Sequence, residues 1–217
     1  ASNRQVAAQS DLLVLAVKPN VQSEVIREIR ETALLAKELC VVSIAAGRTT
    51  DQIISDFGAA IPLVRVMPNV NAQIGQSMSA LCPVGTTDEQ LAAARKLLDS
   101  VGQTIVLDEK YFPVFTAIAS SSPAWIFKMI DAMAEAGVNH GLTKADSTRI
   151  VAQAFAGSAQ LLLDGLDNGQ VPANFIDRVS SPGGTTIAGL LAAQEAGLSS
   201  AIVAAVDAAV ERDHHLG

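Results

Sequence analysis

A chain of 217 residues, 49% of them apolar, is long enough to bury one large core or two small ones. Its formal net charge of −7 argues against nucleic acid or an anionic membrane as partner, because both call for basic patches. The two cysteines, Cys40 and Cys82, lie in apolar runs, which indicates reduced thiols in a cytoplasmic protein rather than a disulfide framework.

The first half of the chain alternates apolar runs with amphipathic segments. Five β-strands are predicted, at residues 12–17, 41–45, 63–67, 77–82 and 104–107. The unbroken apolar run at 12–17 is typical of a strand buried on both faces of a parallel sheet. Helices are predicted between the strands at residues 21–36, 50–57 and 87–101. This alternation predicts an α/β domain with a parallel sheet over residues 1–107.

The second half, residues 108–217, is predicted to be all helical. Helices are expected at residues 111–119, 123–138, 144–164, 172–179, 186–196 and 198–212. The serine triplet Ser120, Ser121 and Ser122 interrupts the first two, either as a helix-breaking turn or as a row of hydroxyls lining a pocket. Several of these helices are apolar on more than one face, and one small domain cannot bury them all. We therefore expect an intertwined homodimer or a larger homo-oligomer.

A polar loop at residues 178–187 is the most specific stretch of the chain. Pro182 stops the preceding helix, Gly183 and Gly184 permit unusual backbone angles, and an apolar helix follows. Thr185 and Thr186 are expected to cap that helix. Free amides, two hydroxyls and the positive end of a helix dipole suit a carboxylate or a phosphate. The plainer alternative is a capped glycine turn between packed helices.

Small residues and prolines follow three successive predicted strands, at residues 18–20, 45–47 and 67–69. In open α/β sheets ligands bind beyond the carboxyl ends of the strands, so this edge suits a flat cofactor. The alternative is that any such sheet needs turns there. Lys18 is the one lysine at a strand end, and a polar contact to a ribose or carboxylate is favoured over a Schiff base.

Several other kinds of site are not indicated by the sequence. No two glycines are two residues apart, so the G-x-G-x-x-G fingerprint of dinucleotide sites is missing from the chain. Because the sequence opens at Ala1 without a methionine, we expect its true beginning to be missing, and with it half of such a site. The three histidines, His140, His214 and His215, have no metal-ligand spacing, and no G-x-S-x-G motif occurs.

Five motifs in this order resemble the pyrroline-5-carboxylate reductase family. They are the segments at 15–19 (LAVKP), 43–47 (SIAAG), 65–69 (RVMPN), 116–124 (TAIASSSPA) and 181–186 (SPGGTT). The resemblance implies a dinucleotide-binding Rossmann domain followed by a helical dimerisation domain, often assembled into decamers. It also implies reduction of 1-pyrroline-5-carboxylate to L-proline by NADPH or NADH, the last step of proline biosynthesis. In the fourth motif Ser120 and Ser122 stand where the family usually has glycine, which puts the shape of that turn in question.

The resemblance also assigns residues to roles. For the cofactor it implies Asn3, Ala16, Val17, Lys18, Pro19, Ala45, Ala46 and Gly47. For the substrate it implies Ser121, Gly183, Gly184, Thr185 and Thr186. The hydroxyl of Thr186 would lie near the ring nitrogen, which makes Thr186 the candidate catalytic residue.

Two other functions are weighed against this one. A reductase of the β-hydroxyacid dehydrogenase kind carries a catalytic lysine on its long inter-domain helix, where this chain offers Lys128 without the expected flanking glycines. A non-catalytic helical dimer with a degenerate nucleotide fold is favoured by the missing glycine loop. Neither a metal, a nucleic acid nor a membrane is expected as a partner.

Overall fold

The computed structural model describes residues 2–36 and 38–215. Its described residues form two compact units, one of residues 2–122 with 206–215 and the other of residues 123–205. Ala1, with which the given sequence opens, lies outside the described residues.

The first unit is built on one five-stranded sheet. In sequence order its strands are β1 (Leu12–Leu15), β2 (Cys40–Ser43), β3 (Leu63–Met67), β4 (Ser77–Val84) and β5 (Gly102–Val106), and they lie side by side in that same order. The helices of this unit before its last strand are α1 (Asn3–Ala8), α2 (Pro19–Leu35), α3 (Thr50–Phe57) and α4 (Asp88–Asp99). The predicted α/β class is confirmed.

The direction of the last two strands differs from the prediction. β1, β2 and β3 are parallel, but β4 runs antiparallel to β3, and β5 is parallel to β4. The reason lies in the connection after β3, which holds only a short 3₁₀ turn at Val70–Ile74. A parallel return requires a crossover of a dozen or more residues, whereas a short connection suits an antiparallel pair.

The core lies on both faces of the sheet because neighbouring strand residues point in opposite directions. Val41 packs on one face with Ile26 and Ile29 of α2, whereas Val42 packs on the other with Leu98 of α4. Val14 of β1 is 38% exposed, so the prediction that this strand is buried on both faces is wrong for that position. Among the described strands β1 lies at the edge of the sheet, where cover on the second face is thinner.

Beyond β5 every regular element of the described chain is helical. A 3₁₀ turn at Glu109–Tyr111 leads into α5 (Phe112–Phe115) and a π-helical turn at Thr116–Ser121. The remaining helices are α6 (Ser122–Asn139), α7 (Lys144–Leu166), α8 (Pro172–Val179), α9 (Thr185–Glu195) and α10 (Leu198–His214). Within the described residues no single helix is long and apolar enough to cross a membrane. By length and composition α9 and α10 pass that test only as a pair, bent by 52°.

The second unit leaves much of its apolar surface uncovered within one chain. Phe127 is 60% exposed, Ile150 57% and Val203 58%. Uncovered apolar side chains on several helices are what a self-associating helical domain presents to a second copy.

Candidate active site

The first candidate region is the edge formed by the carboxyl ends of β1 and β2. Leu15 pairs with Ser43 in register, and the amide of Ile44 donates a hydrogen bond to the carbonyl of Leu15 at 3.4 Å. The segments 16–19 and 45–47 follow these two strands directly, so the structure brings the predicted cofactor residues of both segments to one edge. Ala16, Lys18 and Ala46 are exposed there, whereas Ala45 is buried.

The backbone at this edge leaves room for a ligand. Lys18 is the N-cap of α2 and makes no capping hydrogen bond with its side chain, and Pro19 opens the helix without an amide hydrogen. Gly47 has a φ of +72°, a left-handed value that favours glycine. Short side chains and this turn make the rim flat enough for an aromatic ring to approach the main chain.

A buried polar network joins the end of β2 to the start of α2. Gln22 of α2 and Ser43 of β2 are fully buried, and the Gln22 amide donates to the Ser43 hydroxyl at 2.7 Å. Arg48 donates to the Gln22 side-chain oxygen at 3.3 Å and pairs with Asp56, which also accepts from Ser23 at 2.7 Å. Sequence reasoning missed this network. Its signal was a glutamine and a serine at positions where apolar neighbours predict core.

A second charged cluster lies on β3 and the 3₁₀ turn. Glu109 accepts hydrogen bonds from Arg65 at 2.6 Å and from the Thr50 amide and hydroxyl at 2.7 and 2.8 Å. The Arg65 guanidinium lies 4.4 Å from the centre of the Phe112 ring. Burial alone would raise the pKa of Glu109, but the hydrogen bonds from Arg65 and Thr50 and the charge of Arg65 together lower it.

A cavity of about 430 Å³ adjoins this cluster within the first unit. Its lining includes Gly47, Thr49, Arg65, Glu109 and Pro113. Gly47 therefore borders this cavity. The cluster was also missed from the sequence, since its partners are separated by 44 and 59 residues along the chain.

Asn3, the remaining predicted cofactor residue, lies away from the strand ends. Its side-chain amide donates to a carboxylate oxygen of Glu28 in α2 at 2.7 Å. Glu28 is nine residues beyond Pro19, which is about 14 Å along the helix at 1.5 Å per residue. The structure therefore does not group Asn3 with Lys18 and Gly47. Only a ligand as extended as a dinucleotide could touch both places.

Ser121 ends the π-helical turn at Thr116–Ser121, which runs without a break into α6. The Asn69 amide donates to the carbonyl of Ala119 at 3.0 Å, and the Ser120 hydroxyl donates to the carbonyl of Pro68 at 3.0 Å. The prediction of a helix break at the serine triplet is thus wrong. The backbone stays helical because it widens to a π-turn, and residues from the end of β3 support it.

The polar loop within residues 178–187, which lies in the second unit, has the form expected of an anion site, except that the helix cap lies one residue earlier than predicted. Gly183 has a φ of +68°, and Gly184 is the N-cap of α9 with extended angles of −81° and 172°. Thr185 and Thr186 are therefore the first two helical residues and not the cap. No side chain caps α9, so both exposed threonines keep their hydroxyls for other partners. A side chain at Gly184 would run into the Ser181 hydroxyl.

The two cysteines and Lys128 carry no indication of chemistry. Burial raises the pKa of the Cys40 thiol to about 11, and it also raises that of Cys82, so both stay protonated near neutrality. The side chain of Lys128 is 73% exposed and pairs with Asp131 at 3.3 Å. That is an ordinary surface pair on α6.

Comparison with known proteins assigns the chain. A family model described as pyrroline-5-carboxylate reductase dimerisation matches residues 109–216. The pyrroline-5-carboxylate reductase of Methanosarcina acetivorans is 34% identical over 216 residues, which cover 99% of this chain and 78% of the relative. The chain belongs to the pyrroline-5-carboxylate reductase family. The resemblance found in the sequence motifs is thereby confirmed.

Solved structures of pyrroline-5-carboxylate reductases agree in fold. The structure of the Coxiella burnetii protein matches all of this chain and 79% of its own, with a TM-score of 0.92 and 30% identity. The structure of the Plasmodium falciparum pyrroline carboxylate reductase with NADP bound matches all of this chain and 81% of its own, with a TM-score of 0.86 and 26% identity. The family model also confirms the prediction that the helical half mediates self-association.

Proposed function

We propose that this chain reduces 1-pyrroline-5-carboxylate to L-proline with NADPH or NADH, the last step of proline biosynthesis. Membership in the pyrroline-5-carboxylate reductase family is the observation that carries the proposal. The protein is accordingly an oxidoreductase that acts on a C=N bond. When bound, the nicotinamide supplies the hydride, and the protein supplies position and electrostatics.

We propose that the boundary between the two functional domains lies between residues 107 and 108. Residues 1–107 form the later part of a dinucleotide-binding domain, and 108–217 form the dimerisation and substrate domain. The match of the dimerisation model to residues 109–216 supports that boundary. A homodimer is the basic assembly, and a homodecamer built from it is the larger form proposed. Two free, buried cysteines support a cytoplasmic location, and the net charge of −7 supports the absence of a membrane or nucleic-acid partner.

The cofactor is proposed to lie across the ends of β1 and β2. The exposed, small residues at this rim fit the flat face of a nicotinamide, and the side chain of Lys18 can reach a ribose hydroxyl. The rigid support from Gln22 and Ser43 favours this position, because ordering the rim beforehand lowers the cost of binding. The full proposed set is Asn3, Ala16, Val17, Lys18, Pro19, Ala45, Ala46 and Gly47.

The substrate carboxylate is proposed to bind at the start of α9. Gly183 and Gly184 let it approach the main chain, and the uncapped amides of the first turn point toward it. A helix N-terminus with two hydroxyls can orient a small anion without a cationic side chain. Ser121 is proposed as a further substrate contact, on the strength of its place at the end of the π-turn.

Thr186 is proposed as the residue that acts on the reacting bond. An iminium accepts hydride better than a neutral imine, so the substrate is protonated on or before binding. The Thr186 hydroxyl then hydrogen-bonds the ring nitrogen of the bound substrate. Its hydroxyl is exposed and does not cap α9, which supports that role.

The test is proline formation coupled to loss of reduced nicotinamide. Removing the hydroxyl in Thr186→Ala should lower kcat/KM for pyrroline-5-carboxylate about 10²-fold, the usual scale for one positioned donor. Thr186→Ser keeps the hydroxyl and should recover most of the activity. Thr148→Ala, at an exposed threonine of α7, controls for threonine loss on a helix of the same unit. An unchanged kcat/KM in Thr186→Ala would remove Thr186 from the mechanism.

A further inference from the structure

The π-helical turn at Thr116–Ser121 is tied to the end of β3 by two hydrogen bonds. One runs from the Asn69 side-chain amide to the Ala119 carbonyl at 3.0 Å, and the other from the Ser120 hydroxyl to the Pro68 carbonyl at 3.0 Å. π-turns are rare and persist where the surroundings hold them in place, frequently at functional sites. The two bonds join segments about 50 residues apart along the chain.

Asn69 is itself held in place on its other sides. Its side-chain oxygen accepts from the Asn71 amide at 3.1 Å, and its own backbone amide donates to the Ser77 hydroxyl at 3.3 Å. Ser77 is only 3% exposed and lies at the start of β4. With its oxygen fixed in this way, the NH₂ group of Asn69 can point in only one direction, toward the π-turn.

We propose that Asn69 is a positioning residue for the reductase reaction, acting through Ser121. By holding the carbonyl of Ala119, it fixes the turn whose last residue presents its hydroxyl to the substrate. The inference rests on the proposed function, which assigns Ser121 to the substrate. In this role Asn69 contacts the turn and not the substrate, so its effect falls more on substrate affinity than on cofactor affinity.

A variant of the same shape tests the hydrogen-bond donor of the Asn69 side chain separately from its acceptor. Asn69→Asp keeps an oxygen for the Asn71 amide but replaces the donor to Ala119 with a second acceptor. We expect the KM for pyrroline-5-carboxylate to rise about tenfold, since small misplacements of positioning groups carry large costs. The KM for NADPH should rise by a smaller factor than that for the substrate, and the melting temperature should fall by about 2–4 °C, the scale of one lost hydrogen bond. Ser120→Ala, which removes the second tie to the same turn, should shift the substrate KM in the same direction by a smaller factor.

Gln90 offers a matched control at the N-terminus of α4. Its side-chain oxygen accepts from the Thr87 amide at 3.0 Å, and its NH₂ donates to the Glu38 carbonyl at 3.1 Å. Like Asn69, it thus accepts from one backbone amide and donates to one backbone carbonyl. Gln90→Glu removes the corresponding donor where no proposed site residue is involved. It should leave both KM values unchanged.

The double variant Asn69→Asp/Ser121→Ala tests whether the two residues act together. If Asn69 acts through Ser121, the double variant should be little worse than Ser121→Ala alone. Additive effects, equal rises in both KM values or an unchanged substrate KM in Asn69→Asp would overturn the inference.

The two proposals fail in different ways. If Ser121→Ala raises the substrate KM and Asn69→Asp does not, Ser121 keeps its role and only the inference about Asn69 fails. If Ser121→Ala leaves the substrate KM unchanged, both the role of Ser121 and the inference fail. Proline formation by the native protein would still support the reductase function.

Discussion

The Glu109 carboxylate compensates the buried positive charge of Arg65, so removing the charge of Glu109 should destabilise the folded protein. The Arg65 side chain is 9% exposed and that of Glu109 28%, with 2.6 Å between their nearest charged atoms. Removing one partner of a buried pair costs about 3–5 kcal/mol, because the other charge is left uncompensated. Glu109 is partly reached by water, and a glutamine there would still accept hydrogen bonds. We therefore expect Glu109→Gln to cost about 2–3 kcal/mol.

A melting experiment reads this cost directly. For a protein of this size, about 1 kcal/mol corresponds to about 2–4 °C, so the melting temperature of Glu109→Gln should fall by about 5–10 °C. All variants are compared at one protein concentration, because self-association shifts the apparent stability. Asp108→Asn is the control. It breaks the neighbouring pair with Lys110, whose side chains are 75% and 66% exposed, and should change the melting temperature by about 2 °C at most.

A double variant isolates the pair from other effects. Arg65→Met alone should also destabilise, since it leaves the Glu109 carboxylate without its ion partner. Removing both charges in Arg65→Met/Glu109→Gln should cost less than the sum of the two single changes, by about 2 kcal/mol. If the single changes simply add, or if Glu109→Gln melts with the native protein, the charge of Arg65 does not depend on Glu109 and the reasoning is wrong.

Three further predictions follow from the same structure. The pKa of Glu109 is lowered by folding, so its stabilising contribution is present above its ordinary pKa of 4.5 and is lost as the pH falls below that value. Urea unfolding should therefore show that the difference in free energy of unfolding between the native protein and Glu109→Gln becomes smaller below pH 4.5 and stays constant above it. Gln22→Leu should cost about 1–3 kcal/mol, because the buried Ser43 hydroxyl loses its partner, and should raise the KM for NADPH more than that for the substrate, as initial-rate kinetics would show. Gly184→Ala should raise the substrate KM without changing that of NADPH, because its methyl group would displace Ser181 at the start of α9; equal KM values in variant and native protein would separate this loop from the substrate.

Local signals in the sequence predicted most helices and strands. Where these predictions failed, the element depended on contacts with distant parts of the chain. β3 and α8 begin and end where predicted because prolines or polar turns mark both ends. β1 ends at Leu15 although the apolar run continues to Val17, since pairing with β2 stops there. The direction of β4 could not be read from its composition, because it depends on how the chain after β3 turns back.

The candidate site shows the same division. Strand-end segments and the diglycine loop were predicted because their residue types are unusual at fixed positions along the chain. The Arg65, Glu109 and Thr50 cluster and the tie between Asn69 and Ala119 were not, because each joins residues dozens of positions apart. The start of α9 was predicted one residue too late, with its cap at the threonines, since Gly184 serves equally well as an N-cap.

The widened turn before α6 makes the spacing between Phe115 and Ser122 a matter of phase. Each residue of an α-helix advances the chain by about 100° around the axis. A π-turn holds about one residue more than the α-helical turn it replaces, so deleting one residue from Thr116–Ser121 would let the stretch relax to ordinary α-helix with α6 nearly in phase. Inserting one residue has no such outlet and would rotate every side chain of α6 by about 100° around the helix axis. This stretch therefore tolerates a shorter chain but not a longer one.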